Sequence, residues 1–174
     1  MSNEKLQAKT QAEILEFIQS RKSLQLATMG TDGEPYASYA PFALGDDCIY
    51  VLLSDIAVHA VNLKEHPKAS VLIIQDEDCA DELFARVRVN YAMDADLIEF
   101  EADGWQQGID ALVERHGERI NHLSKMVDFK LFKLKPTGGR YVKGFARAFT
   151  LVGNGLGGEE IAHMRDGHKE RSED

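Results

Sequence analysis

The sequence predicts an α+β domain built around a small β-barrel, and three observations carry that expectation. The chain opens on an amphipathic helical pattern. A series of apolar runs with strand-like alternation follows, bounded by Gly, Asp and Pro. A further helical stretch then interrupts the strands before two more complete them, which gives six or seven strands and two or three helices.

The elements follow in order. Leu6, Ile14, Phe17, Ile18 and Arg21 recur at helical spacing among polar residues, so the first segment reads as a structural helix. Residues 23–29 and 36–44 are extended runs on either side of Gly30-Thr31-Asp32-Gly33, the signature of a hairpin. Gly45-Asp46-Asp47 separates them from the apolar run 48–53. Ser54-Asp55 then offers a cap for a short helix carrying Ala57, Val58, Val61 and Leu63, which ends before Pro67. Residues 69–75 read as a buried strand and 85–100 as a long one, with Val87, Val89, Tyr91 and Met93 on one face and Arg86, Arg88 and Asn90 on the other. Trp105, Ile109, Leu112, His116 and Ile120 form a helical stripe that is either one helix or a pair broken at Gly117. Strands are expected at 129–134 and 140–152, joined by a turn at Pro136-Thr137-Gly138-Gly139.

The chain divides at residue 152. Residues 1–152 form the expected barrel domain, and 153–174 a tail that starts on the hinge-like Gly153-Asn154-Gly155-Leu156-Gly157-Gly158. Gly153, Gly155 and Gly158 match the spacing of a dinucleotide loop, but only about 16 residues follow, too few for the helix, second strand and acidic residue that such a fold requires.

Composition narrows the function. With 44% hydrophobic and 28% charged residues, the 174-residue chain can bury a core and is not a disordered polymer. Lys+Arg 20 against Asp+Glu 29 leaves a net charge of −9, which argues against nucleic acid as a partner, since backbone binding needs a basic face. The first residues lack the apolar core of a signal peptide, and no apolar run nears the roughly 20 residues that cross a bilayer. A cytoplasmic protein without membrane insertion is expected. Cys48 and Cys79 stand far apart outside any C-x-x-C, so both are expected to be reduced packing residues.

Two sets of residues carry candidate chemistry. The basic residues Arg86, Arg88, Lys130, Lys133, Arg140, Lys143 and Arg147 fall on expected strands of an acidic chain. They are either a solvated barrel exterior or a cationic strip for a planar ligand with carboxylate or phosphate arms. His163 and His168 lie in the polar tail, either solvated or, because one neutral nitrogen suffices, as an axial ligand to haem iron. His59 and His116 fall on helical stretches, where a hydrogen bond to the backbone is the default reading.

Residues 21–28, with Gly33-Glu34-Pro35, Ser38-Tyr39-Ala40-Pro41-Phe42 and the stretch 54–63 before Pro67, resemble the pyridoxamine 5′-phosphate oxidase-like split-barrel superfamily. Leu83-Phe84-Ala85-Arg86-Val87-Arg88, residues 123–129, Val142-Lys143-Gly144-Phe145-Ala146 and Asp166-Gly167-His168-Lys169 narrow the resemblance to its haem-utilisation branch, the HugZ/HutZ type, nearly end to end. The resemblance implies a homodimeric six-stranded split β-barrel with flanking helices. It implies one haem per protomer near the dimer interface, His168 as the iron's axial ligand, and Asp128 hydrogen-bonded to that histidine from the partner chain. Arg88 matches a basic residue near the haem and Arg86 is its neighbour, with His59 and Lys143 as weaker haem contacts. The implied activity is oxidative haem degradation that releases iron, with Asp128 and Arg88 in the reaction, O2 as oxidant and an external electron donor. The alternatives are a haem carrier or store without turnover, and an FMN-dependent oxidoreductase of the same fold.

Overall fold

The computed structural model describes residues 3–164. Helix α1 (Asn3–Ser20) packs Ile14 and Ile18, one turn apart and fully buried, into the barrel core. Strand β1 (Ser23–Met29) alternates Leu24, Leu26 and Thr28 inward with polar residues outward, and β2 (Pro35–Pro41) pairs with it across the Gly30–Gly33 turn. The extended run expected over 36–44 breaks at Phe42, which turns fully into the core and starts the short β3 (Ala43–Gly45).

Strand β4 (Cys48–Ser54) is apolar throughout because both of its faces are covered. Ile49, Val51 and Leu53 face the barrel core, while Cys48 and Tyr50 face a second cluster with Trp105, Ile109, Leu112 and Leu131. Helix α2 (Val58–Glu65) begins later than its expected cap, at Ala57, with no side-chain capping bond. Ser54 is occupied otherwise: its Oγ donates to Asp128 Oδ2 at 3.0 Å and accepts the Ile56 N–H at 3.3 Å.

Strand β5 (Lys68–Ile74) pairs with β1 and with β6 (Arg88–Ile98). The long strand expected from residue 85 starts at Arg88, because Leu83–Ala85 is a 3₁₀ turn capped by Glu82, whose side chain accepts the Phe84 N–H at 3.0 Å. The helical stripe is a broken pair, α3 (Trp105–His116) and α4 (Arg119–Ser124), separated at Gly117, whose φ of +84° suits a residue without Cβ. Gly108 is where α3 meets the sheet: an added Cβ would lie 2.8 Å from Leu131 Cδ2 and 2.9 Å from Tyr50 Cδ1. Gly108→Ala is therefore expected to lose about 1–3 kcal/mol by overpacking, more than the ~1 kcal/mol gained in helix propensity. A lowered thermal midpoint would register it.

Strand β7 (Phe129–Gly144) runs unbroken through Pro136-Thr137-Gly138-Gly139, which corrects the expected turn. The register with β6 shifts between Ala92–Gly138 and Met93–Pro136, so Thr137 is the extra residue of a bulge in β7 itself, directly after the proline. Gly139 is needed because a Cβ there would lie 2.5 Å from Asn90 O. The expected strand over 140–152 is divided instead, with β8 (Arg147–Val152) folding back after Ala146, whose φ is +57°.

The glycine stretch expected to be a hinge is a packed turn. Leu156 is buried, and its carbonyl accepts the hydroxyl of the buried Tyr91 at 2.5 Å. Gln11 Nε2 donates to Gly158 O at 2.5 Å, and Asp47 Oδ1 accepts the Leu156 N–H at 3.3 Å. The chain then adds β9 (Glu160–Met164) beside β8.

The described residues thus hold nine strands in one antiparallel sheet, where six were expected in the barrel. Relative to the seven runs read from the sequence, the added strands are β3, from the break at Phe42, and β9, from the recruitment of Glu160–Met164. The order is β2-β1-β5-β6-β7-β4-β3, with β8 on β7 and β9 on β8. Along β7, the first half pairs with β4 and the second with β8, so the sheet divides into two leaves, and α1 covers the inner face of the second.

Candidate functional site

Register across β6, β7, β8 and β9 sorts the candidate residues by face. Arg88, Val142, Ala148 and Met164 lie in one row, and Val89, Tyr141, Phe149 and His163 in the next. Because side chains alternate, the two rows face opposite ways. The second row points inward, where Val89, Tyr141 and Phe149 are buried. Arg88 therefore stands on the outer face of this leaf.

Arg88 is half-buried, and its Nη1 donates to Arg86 O at 2.9 Å. Arg86 is committed to structure: Nε donates to Gln75 O at 2.9 Å and Nη2 donates to the same carbonyl. These bonds fasten the loop between β5 and β6 and hold the backbone on which Arg88 rests. Lys143 lies apart from this pair, on the inner side, 2.8 Å from Glu13 and with Nζ 5.6 Å from the Phe149 ring centroid. Arg140 shares the outer face with Arg88, whereas Lys130 and Lys133 sit on the far half of β7.

Asp128 precedes β7 at the other end of that strand. Its Oδ2 accepts from Ser54, its main-chain carbonyl accepts the Asp55 N–H at 2.7 Å, and Oδ1 has no partner among the described residues. The half-buried carboxylate is thus fixed in orientation with one oxygen left to accept a further proton donor. Val127, next to it in the chain, is 88% exposed, and Ile56, whose N–H binds the same Ser54 Oγ, is 86% exposed. A cleft of about 290 Å³ opens at its chain neighbours Met126, Val127 and Phe129 and is lined further by Phe100, Trp105, Lys125 and Lys130.

His59 lies on α2. Ser38 Oγ gives its proton to Leu26 O at 3.2 Å, so it accepts from His59 Nδ1, 2.9 Å away. The network assigns the Nδ1–H tautomer and leaves the Nε2 lone pair unshared by that bond. Burial lowers the His59 pKa. The unfolded chain therefore binds a proton below pH 6.5 that the folded chain declines, and this part of the stability is lost as pH falls from 6.5 through the lower folded value. Wild type is expected to lose more stability than His59→Gln between about pH 8 and about pH 5, measured by urea midpoints. His116 is satisfied by the backbone, with Nε2 2.8 Å from Phe42 O.

His168 and its neighbours Asp166, Gly167 and Lys169 lie outside the described residues. His163 is exposed on β9, its ring 5.0 Å from that of Phe149. Of the two cysteines, Cys48 is buried, where burial raises its thiol pKa, and Cys79 is exposed rather than packed. Among the described residues no group of three or more His, Cys, Asp or Glu is arranged to hold a metal ion, and no helix is long and apolar enough to cross a membrane.

Ser38 and Ser54, which orient His59 and Asp128, were not among the sequence candidates. Each lies within a motif stretch, but its partner is 21 residues away for Ser38 and 74 for Ser54, and only folding brings the pairs together.

Residues 10–143 match the family model described as pyridoxamine 5′-phosphate oxidase. The chain is 42% identical over 172 residues to the haem oxygenase HutZ of Vibrio cholerae serotype O1 (strain ATCC 39315 / El Tor Inaba N16961), covering 99% of this chain and 97% of that protein. A crystal structure described as HutZ, the haem storage protein from Vibrio cholerae, superposes with a TM-score of 0.69 at 46% identity, over 72% of this chain and 88% of that one. Campylobacter jejuni ChuZ superposes with a TM-score of 0.77 at 30% identity, over 91% of this chain and 68% of that one.

Proposed function

The chain belongs to the pyridoxamine 5′-phosphate oxidase family of split barrels, and from that membership we propose that it binds haem and degrades it oxidatively to release iron. The observation that most supports this reading is the row Arg88, Val142, Ala148, Met164. It sets the end of β9, four positions before His168, on the same row and the same face of the sheet as Arg88, with β7 and β8 between them. The donor set suits the group. A neutral imidazole is a sufficient axial ligand for haem iron, guanidinium groups pair with propionates, and a carboxylate on the second imidazole nitrogen fixes its tautomer.

In this proposal His168 ligates the iron. Asp128, already oriented by Ser54, accepts the imidazole N–H through Oδ1 from the partner subunit of a homodimer. Arg88 meets the anionic edge of the macrocycle, Arg86 holds Arg88 in place, and His59 offers its Nε2 lone pair near the pocket. The apolar side chains of Val127 and Ile56 exclude water once a partner covers them. Bound haem supplies the redox-active iron and is itself the molecule oxidised, with O2 as oxidant and electrons from an external donor.

A storage function is the second reading, favoured by the description of the Vibrio cholerae crystal structure as a haem storage protein. One experiment separates the two. The purified protein is titrated with haemin and then supplied with reductant under air. A saturable Soret shift at one haem per chain, followed by loss of the band, an open-chain product and chelatable iron, is the expected result. Saturable binding with an intact macrocycle assigns storage. Absence of a specific shift, with flavin absorption in the isolated protein, assigns flavin chemistry. Asp128→Asn should alter the spectrum and its pH dependence and lower the affinity or turnover by about 10–100-fold.

A further inference from the structure

We propose that the cleft between α1 and the β7–β8–β9 leaf is a second ligand site, for a flat aromatic anion of about mononucleotide size. The inference goes beyond the haem reading and does not depend on it, because the cleft opens on the inner side of the leaf and Arg88 stands on the outer side.

The cleft holds about 560 Å³, within the ~300–1,000 Å³ usual for small-molecule sites. Leu6 and Thr10 of α1 form one wall. The other holds Phe149, Ile161 and His163: the His163 ring meets Phe149 edge-on at 5.0 Å and 60°, and Tyr141, outside the lining, stacks on Phe149 at 6.1 Å and 25°. A flat ring entering here meets Phe149 and His163, the members of this row that line the cleft.

The rim is cationic. Lys143 is shared with Glu13 at 2.8 Å, but Arg147 is exposed and has no ion pair among the described residues. In a chain of net charge −9, a guanidinium without an ion pair among the described residues stands at the mouth of the cleft, with Glu13 and Glu16 lining the groove on its other side. Its planar fork suits a phosphate or carboxylate, and Lys143 stands beside it as a second cation. The two recognition elements, ring wall and cationic rim, define a ligand with an aromatic ring at one end and an anionic group at the other.

The probe is AMP, with adenosine and inorganic phosphate as its separate halves. Each is titrated into the full-length apoprotein while the imidazole proton resonances are followed by NMR, the His163 signals being assigned by their loss in His163→Gln. The expected result is a saturable shift of the His163 signals by AMP, with adenosine and phosphate each at least tenfold weaker. Arg147→Ala should weaken AMP at least tenfold, Arg147→Lys should restore part of the affinity, and Arg140→Ala, which removes a cation from the outer face, should change nothing. The proposal is overturned if AMP gives no saturable shift, if either half binds as well as AMP, or if Arg147→Ala and Arg140→Ala behave alike. Haemin titration of Arg147→Ala completes the test: wild-type stoichiometry supports two separate sites, and loss of haem binding merges them and refutes the proposal. Failure of wild type to bind haemin strikes the haem reading alone.

Discussion

Alanine at position 168 should remove the specific Soret shift on haemin addition, lower the affinity by about 100-fold or more, and abolish reductant-driven turnover. Haem iron takes a neutral imidazole nitrogen, and most of the other histidines are occupied or apart from Arg88. His116 is bonded to Phe42 O, and His163 lies on the inner face of the leaf whose outer face bears Arg88. Among the described residues only His59 combines a lowered pKa with a nitrogen left free by its serine bond. Parallel titration of His168→Ala and His59→Ala therefore decides the ligand. Loss confined to position 168, with recovery by added imidazole, sustains the assignment. Loss confined to position 59 transfers it to α2.

Tyr91→Phe should destabilise the protein by about 1–3 kcal/mol, because a single hydroxyl satisfies a buried carbonyl. Tyr91 is fully buried, burial pushes its phenol pKa upward, and its hydroxyl donates to Leu156 O in the glycine turn before β9. Phenylalanine keeps the packing and leaves the carbonyl unpaired. Tyr91→Ala adds a cavity among Val89, Met93 and Leu134 and should lose about 3–5 kcal/mol. Urea denaturation measures both. Haemin affinity should fall in Tyr91→Phe as well, because the turn sets where β9 begins. A variant equal to wild type in both respects would show that Gln11 and Asp47 hold the turn without Tyr91.

Local chemistry made much of the fold legible. Alternation in Leu24, Leu26 and Thr28, and in Val89, Tyr91 and Met93, marks strands with one covered face, and those residues are buried. The helical stripe from Trp105 to Ile120 was readable with its break at Gly117. The misreadings share a cause. Pro136-Thr137-Gly138-Gly139 has the composition of a turn, but a neighbouring strand demands it: Gly139 lets β6 approach and the bulge at Thr137 of β7 tolerates the proline. The stretch 153–158 likewise reads as a hinge until Tyr91 reaches it from 65 residues away. At the site, residue types were visible but faces were not. Arg88 and Lys143 look alike in sequence, and only the register of β6 on β7 puts them on opposite sides of one leaf. Ser54 reads as a helix cap because the cap pattern is local, whereas its real partner Asp128 is not.

The long β7 is paired along most of its length with β6 and has a second neighbour at residues 131–134 and 139–142, whereas among the described residues β9 is hydrogen-bonded to β8 alone. In amide hydrogen exchange these two strands would occupy opposite ends of the range. Protons in β7 exchange only when the whole molecule opens, and those in β9 exchange through a local opening that leaves both leaves intact. The segment leading to the proposed iron ligand can thus be released and re-seated many times within one lifetime of the folded barrel. Loading and unloading at that end become events of one strand rather than of the domain.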